Sequence, residues 1–305
     1  GYSSAASDVY KRQKMKLAES QSKLFEEFSQ IIRENRLSHA YLFSGDFGSL
    51  DMAIWLAQSR FCLTPEDGLP CGHCRSCRLI AQGDFSDVKL VEPQGQIIKT
   101  DTIRQLTREF SQSSFEGQAQ VFIIRDADKM HINAANSLLK FIEEPQSQIY
   151  IFLLTADDSR MLPTIKSRAQ LFYFPKNRAY LEELLQKEGL LLTQAKVLAD
   201  FAKDDVQALD LAKDNKILDL INTVERFTQS LLSNQDLLYL DVAKLAVQCS
   251  EKSEQEMVWA FLTYQMGKDI QNPQARRWLD LVYEARKMWL ANVSFQNAIE
   301  YMVLS

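Results

Sequence analysis

The chain has 305 residues, 46% of them apolar and 25% charged, the balance of an ordinary globular protein with room for two or three domains. Its net charge is −5 and it has no long basic run, which excludes a protein that grips nucleic acid strongly through its own phosphate contacts. It also lacks an uncharged apolar stretch of about 18 residues and any secretory signal pattern, so a membrane protein is excluded and a cytoplasmic one expected.

Gly1 to Lys14 is a Ser/Ala/Asp mixture without apolar period. Residues 1–14 are expected to be a non-native or disordered leader, with Met15 as the natural start. Helical spacing begins just after it, at Leu24, Phe25, Phe28, Ile31 and Ile32. Ala40 to Ser44 then reads as a buried strand running into Gly45-Asp46-Phe47-Gly48-Ser49-Leu50-Asp51-Met52. The glycine spacing matches the strand, loop and helix of G-x-x-x-x-G-K-[ST], although Gly45 and Gly48 could equally make an ordinary turn. Leu50 stands at the second required glycine, Asp51 at the lysine and Met52 at the hydroxyl residue that would hold magnesium. Each change removes a named function. A carboxylate about 4 Å from a phosphate oxygen is repelled by roughly 4 kcal/mol at an effective dielectric near 20, where lysine would be attracted by a similar amount. ATP hydrolysis is not expected at this loop.

Leu50 to Phe61 fits a helix with Met52, Ala53, Leu56 and Ala57 on one side. Immediately after it, Cys62, Cys71, Cys74 and Cys77 follow a C-x8-C-x2-C-x2-C spacing in a Gly/Pro-containing insertion. Four soft ligands so close together can converge tetrahedrally on one ion, and a structural zinc is the expected occupant. A closed set of four leaves no position for water, so catalysis by the metal is not expected. The competing readings are an iron–sulfur cluster and four unrelated buried thiols; His73 reads as solvated. Cys249 stands alone in an apolar helix and reads as core.

Val88 to Val91, Gln120 to Ile124, Tyr150 to Thr155 and Gln170 to Phe174 are further short apolar runs. They alternate with helical patterns at Thr102 to Phe110 and Asn133 to Ile142, the latter ended by Glu143-Glu144-Pro145. This alternation predicts an α/β domain, a parallel sheet covered on both faces. The third strand leads into Asp126-Ala127-Asp128; Asp126 keeps the place of a magnesium-binding acid, and Ala127 stands where a water-polarising glutamate would follow. After Pro175 the spacing turns helical through Leu181, Leu184, Leu185, Ala195, Leu198, Ala199, Ala202 and Leu209. A polar break at Asp214 to Lys216 precedes a longer helical block with Trp278, Leu279, Val282 and Trp289 on one stripe. The expected division is 15–175 for the α/β domain with its metal module at 62–77, 176–214 for a small helical lid, and 215–305 for a helical collar.

With these pieces in order the chain resembles the delta-prime subunits of bacterial DNA polymerase III clamp loaders, members of the AAA+ family. The stretches that carry the resemblance are His39-Ala40-Tyr41-Leu42-Phe43, the cysteine module, Phe115-Glu116-Gly117, the run Asn136-Ser137-Leu138-Leu139-Lys140-Phe141-Ile142-Glu143-Glu144-Pro145, and Asn292-Val293-Ser294-Phe295-Gln296. The resemblance implies a P-loop type, AAA+-like fold. It also implies a subunit that does not turn over ATP itself but completes a hetero-oligomeric ring with the gamma/tau ATPase subunits and the delta subunit. The ring would load the sliding clamp onto primer-template DNA during replication, as part of a DNA-directed DNA polymerase, a nucleotidyltransferase assembly. Ser167-Arg168-Ala169 falls on the family's Ser-Arg-Cys motif, so the resemblance makes Arg168 an arginine finger directed at ATP on a neighbouring subunit; Ala169 departs from the motif. Thr155 reads as a strand-end hydroxyl, and Val206 falls where active relatives carry a nucleotide-directed arginine. Two other readings are a self-sufficient ATPase, which Asp51 and Ala127 oppose, and a zinc-ribbon DNA-binding module. The latter would need more than Arg60, Arg75 and Arg78, which Glu66 and Asp67 dilute.

Overall fold

The computed structural model describes residues 16–112, 119–144, 148–233 and 238–305; the expectations placed on residues 1–15, on Phe115-Glu116-Gly117 and on Pro145 lie outside them. The five short apolar runs form β1 (Ala40–Ser44), β2 (Val88–Val91), β3 (Gln120–Ile124), β4 (Ile149–Thr155) and β5 (Gln170–Tyr173). They make one parallel sheet in the order β2-β3-β4-β1-β5. β1 and β3 are buried at every position, as strands must be when both faces of a parallel sheet are covered. β4 begins one residue before the expected start, and β5 stops one short, although the Phe174 N–H still donates to Ser44 O at 2.7 Å.

Strand alternation divides the apolar side chains between two cores. Tyr41, Phe43, Val121, Ile123, Phe152 and Leu154 face one way; Leu42, Phe122, Ile124, Ile151 and Leu153 face the other. The first face is covered by α1 (Ser22–Arg33) and α2 (Ser49–Phe61). Phe28 of α1 places its ring 5.6 Å from Tyr41 and from Phe43 and 4.6 Å from Phe172. α3 (Arg75–Gln82) extends this layer, with Ile80 buried in it. The second face is covered by α4 (Thr100–Gln112), α5 (Ile132–Glu143) and the short α6 (Pro163–Lys166), through Ile103, Leu138, Ile142 and Ile165.

The chain divides into two compact units, one ending at Tyr180 and the other spanning Leu181–Ser305. α7 (Arg178–Lys187) runs through the boundary. In the second unit every described element is a helix: α8 (Leu192–Phe201), α9 (Asp205–Ala212), α10 (Asn215–Leu232), α11 (Leu238–Gln248), α12 (Lys252–Lys268), α13 (Pro273–Leu290) and α14 (Phe295–Leu304). Val224, Phe227, Trp259, Leu262, Val282 and Trp289 are buried there, so the stripe on α13 serves its own core at least at those last two positions. Cys249 is also buried, and burial pushes its thiol up to about 11, as a core cysteine requires. Asn292 takes φ +68° after α13, while the Val293 N–H donates to Met288 O at 3.1 Å. Ser294 then caps α14 by accepting from the Asn297 N–H, and Phe295 packs 5.5 Å from Trp259. Thus the Asn292-to-Gln296 stretch is a helix stop followed by a helix start. Among the described residues, no helix is long and apolar enough to cross a membrane.

Candidate functional site

Parallel strands converge their C-terminal ends on one edge of the sheet, and the loop after β1 opens there. Gly45 has φ +106°, and a Cβ on it would lie 2.2 Å from Phe174 O. No other residue fits so close to the backbone following β5. Gly48 has φ +81°, and a Cβ there would meet Gln21 Cγ at 3.5 Å, Leu17 Cδ2 at 3.8 Å and Ser20 Oγ at 3.9 Å. The residues before α1 therefore lie against the loop. Gln21 Nε2 donates to Phe47 O at 2.7 Å and to Pro175 O at 2.8 Å. Phe47, Ser49 and Met52 are buried, and Leu50 packs against the aromatic core. Asp51, in the lysine position, is paired with Lys16 at 2.9 Å. A phosphate cradle needs backbone N–H groups and a lysine facing an open mouth. Here the side chains of Leu17, Ser20 and Gln21 crowd the loop, and the nearby ammonium is engaged by a carboxylate. Sequence reasoning missed Lys16, Leu17 and Gln21, because the contacts of Gln21 span 26 and 154 residues and leave no local pattern.

The acids after β3 serve polar contacts of their own. Asp126 adopts φ +48° and pairs with Lys129 at 3.1 Å; Ala127 is buried. Thr155, buried at the end of β4, donates to Asp128 Oδ1 at 3.0 Å and accepts from the Asp157 N–H at 3.3 Å. Ser44 at the end of β1 donates to Asp158 Oδ1 at 3.0 Å and accepts from the Asp158 N–H at 3.2 Å. Asp158 also accepts from Lys166 of α6, and that hydrogen bond holds the Asp158 carboxyl below the usual carboxylate range. Through Ser44, Asp158 and Lys166, the end of β1 is tied to the short helix that precedes Arg168.

Arg168 lies just past α6. Its Nε donates to Glu143 Oε1 at 2.5 Å, and its Nη1 donates to Thr164 O at 3.0 Å and to Ser167 Oγ at 3.1 Å. The two charged side chains remain 38% and 46% exposed, so the guanidinium is both held and reachable from solvent. Val206 is exposed near the start of α9.

The cysteine cluster is formed by the end of one helix and the start of the next. Cys62 is the C-cap of α2, Cys74 the N-cap of α3, and Cys77 sits in the first turn of α3. Cys71 enters from the loop between them, beside Gly72 at φ +74°. A tight reversal at Asp67 and Gly68, both at positive φ, pairs Glu66 with Leu69 and is pinned by Arg33, whose Nε donates to Asp67 O at 3.1 Å. Gln58 Nε2 donates to Cys77 O at 2.9 Å, locking α2 to α3. All four sulfurs lie within 4.8 Å of one another, whereas a tetrahedral ion with bonds of ~2.3 Å sets its sulfurs about 3.8 Å apart. Donors already point at the sulfurs: the Cys71 N–H at Cys62 Sγ (3.2 Å), the Cys74 N–H at Cys71 Sγ (3.4 Å) and the Thr64 hydroxyl at Cys71 Sγ (3.2 Å). Burial pushes the Cys62 and Cys77 thiols up. At Cys71 burial acts the same way, but the donated hydrogen bonds outweigh it and bring the thiol down to about 6. The cluster fits one metal ion. His73 stays outside it, half exposed, with Nδ1 3.1 Å from Cys71 O. Arg60 lies 4.9 Å from the Tyr150 ring centroid and donates to Asn35, leaving Arg75 and Arg78 as the exposed basic pair beside the cysteines.

The family model described as "DNA polymerase III, delta subunit" matches residues 20–178. The Bacillus subtilis (strain 168) protein named DNA polymerase III subunit delta' is 32% identical over 305 residues, covering 90% of this chain and 92% of that protein. The Pseudomonas aeruginosa protein of the same name is 36% identical over 146 residues, 46% of this chain and 44% of its own length. A Haemophilus influenzae protein named DNA polymerase III subunit tau/gamma is 32% identical over 144 residues, 47% of this chain and 21% of its own length.

Proposed function

The chain belongs to the DNA polymerase III delta-prime family, and from that premise we propose that it is the non-hydrolysing subunit of a clamp loader. In this reading it assembles with gamma/tau ATPase subunits and a delta subunit in the cytoplasm, and the assembly places a sliding clamp on primer-template DNA. Its own work is mechanical: a fixed member against which the ATP-driven parts move. Arg168 acts in trans on the ATP of a neighbour. A forked, permanently charged guanidinium can contact several phosphate oxygens as charge spreads during phosphoryl transfer. The four cysteines hold one zinc ion that joins α2 to α3 and takes no part in turnover. The helical residues up to 214 act as the lid and those from 215 onward as the collar.

The observation that carries this reading is the state of the phosphate loop. Asp51 replaces the lysine and is paired with Lys16, and the side chains of Leu17, Ser20 and Gln21 lie against Gly48. A chain with this loop has a role only beside subunits that hold the fuel. The test is reconstitution with the gamma/tau and delta subunits. ATP hydrolysis is expected from the mixture, stimulated by this chain, and none from the chain alone; phosphate release by the isolated chain at the rate of the mixture would overturn the reading. Arg168→Ala is expected to leave the complex assembled and to slow the ATPase site it faces by ~10³-fold or more. Unchanged turnover in that variant complex would remove Arg168 from the mechanism.

A further inference from the structure

Glu143 and Arg168 both fall on stretches matched to the family, but the contact between them was not read from the sequence, and its geometry is specific. Resting on the role of Arg168 put forward above, we propose that Glu143 is a positioning residue for the arginine finger, holding the guanidinium through Nε so that Nη2 meets the neighbour's phosphates. A guanidinium has five N–H donors in one plane. Glu143 takes the Nε donor, while Thr164 O and Ser167 Oγ accept from Nη1. Among the described residues nothing accepts from Nη2, so the two N–H donors at that corner remain for an anion. A carboxylate on Nε and two oxygens on Nη1 fix the plane of the group as well as its location, which a single surface ion pair would not do.

The placement of the acid supports the same conclusion. Glu143 is the last residue of α5 and Glu144 its C-cap, at the negative end of the helix dipole, where a carboxylate is unfavourable without a nearby cation. Arg168 supplies that cation, together with Lys140 in the last turn of α5, so the acid and the guanidinium hold each other in place. Exposed ion pairs add little to folding, so the larger consequence of the pair is the orientation it gives the guanidinium. On the opposite side, Lys166 and Asp158 tether α6 to the end of β1. The guanidinium is therefore referenced to two separate parts of the sheet layer, through α5 and through β1. When water adds to the γ-phosphorus in the neighbour's site and the bond to the ADP oxygen breaks, charge spreads over oxygens whose positions are set by that neighbour. A finger that must find them benefits from being oriented beforehand.

The experiment compares reconstituted complexes carrying Glu143→Ala, Glu143→Gln, Arg168→Ala and the double variant Glu143→Ala/Arg168→Ala, with assembly and Tm checked for each. Glu143 is nearly half exposed, so the folded state is expected to survive. Glu143→Ala is expected to lower kcat for ATP by on the order of tenfold with KM unchanged. Glu143→Gln, which keeps an oxygen acceptor, should recover most of that loss, and Glu143→Ala should have no effect once Arg168 is gone. A full rate in Glu143→Ala beside a slow Arg168→Ala overturns the positioning role and leaves the finger standing. The same loss from Glu143→Ala with and without Arg168 also overturns it, because the acid would then act independently. If Arg168→Ala itself runs at the full rate, the finger falls and Glu143 has nothing to position.

Discussion

Asp51 stands where a phosphate-binding lysine would, and restoring that lysine is expected to be insufficient. In Asp51→Lys the new ammonium would face Lys16, its present partner at 2.9 Å, and Leu17, Ser20 and Gln21 would still lie against Gly48. Titration with a fluorescent ATP analogue should show no binding by this variant up to millimolar nucleotide; tight binding would mean that charge alone closes the site. Of the candidate residues, the four cysteines were legible as one group because they fall within a single short insertion, where spacing fixes geometry. The departures at Leu50, Asp51 and Met52 were legible for the same reason. Glu143 was read as a helix end and as part of a run that carries the resemblance, but not as the partner of Arg168, since the two lie 25 residues apart and pairing across that distance has no periodic signature. The pairs Ser44–Asp158 and Thr155–Asp128 stayed hidden likewise, their partners being 114 and 27 residues apart.

At the scale of elements, the strands were readable almost residue for residue, because a strand buried on both faces is a continuous apolar run with polar ends. The pairing order, with β4 between β1 and β3, is a property of the whole sheet and has no trace in any one run. α3 was obscured for another reason: its first turn carries Cys77 and follows Cys74, and the cysteines were read as ligands rather than as part of a helix. The metal module is an element in the same sense, held by α2, the reversal at Asp67 and Gly68, and α3. Elemental analysis of reduced protein should find one zinc per chain. Chelation is expected to loosen residues 62–82 while β1, β3 and β4 keep their amide protection in hydrogen exchange. A protein without zinc, or one whose central strands exchange as fast as the module after chelation, would contradict this.

Across the molecule, the two units rest on different forces, a sheet between two apolar layers in one and helix packing with side-chain caps in the other. In the second unit Glu254 accepts from the Glu251 N–H at 3.1 Å and pairs with Lys216 at 3.0 Å. The Glu251 hydrogen bond first, and the Lys216 contact second, hold the Glu254 carboxyl below its ordinary 4.5. A carboxyl depressed in the folded state stabilises fully above its unfolded value and loses that contribution as pH falls through the folded one. Glu254→Gln should therefore be less stable than the native chain at neutral pH, with the difference shrinking below about pH 4.5. Urea denaturation followed by circular dichroism at several pH values checks this, and a gap that widens in acid would reverse the assignment.

A further consequence belongs to Gln21, whose amide donates to the carbonyls of Phe47 and Pro175. It stitches the chain ahead of α1 to the loop after β1 and to the backbone following β5, and under the proposed function it would keep nucleotide out of this site. A ligand at a hundredfold its Kd would add about 2.7 kcal/mol to stability, so its melting temperature is expected to be the same with ATP, with ADP or with neither. In the proposed assembly, whose other parts would be reset at every turnover, such a component would be the fixed datum from which their displacement is measured.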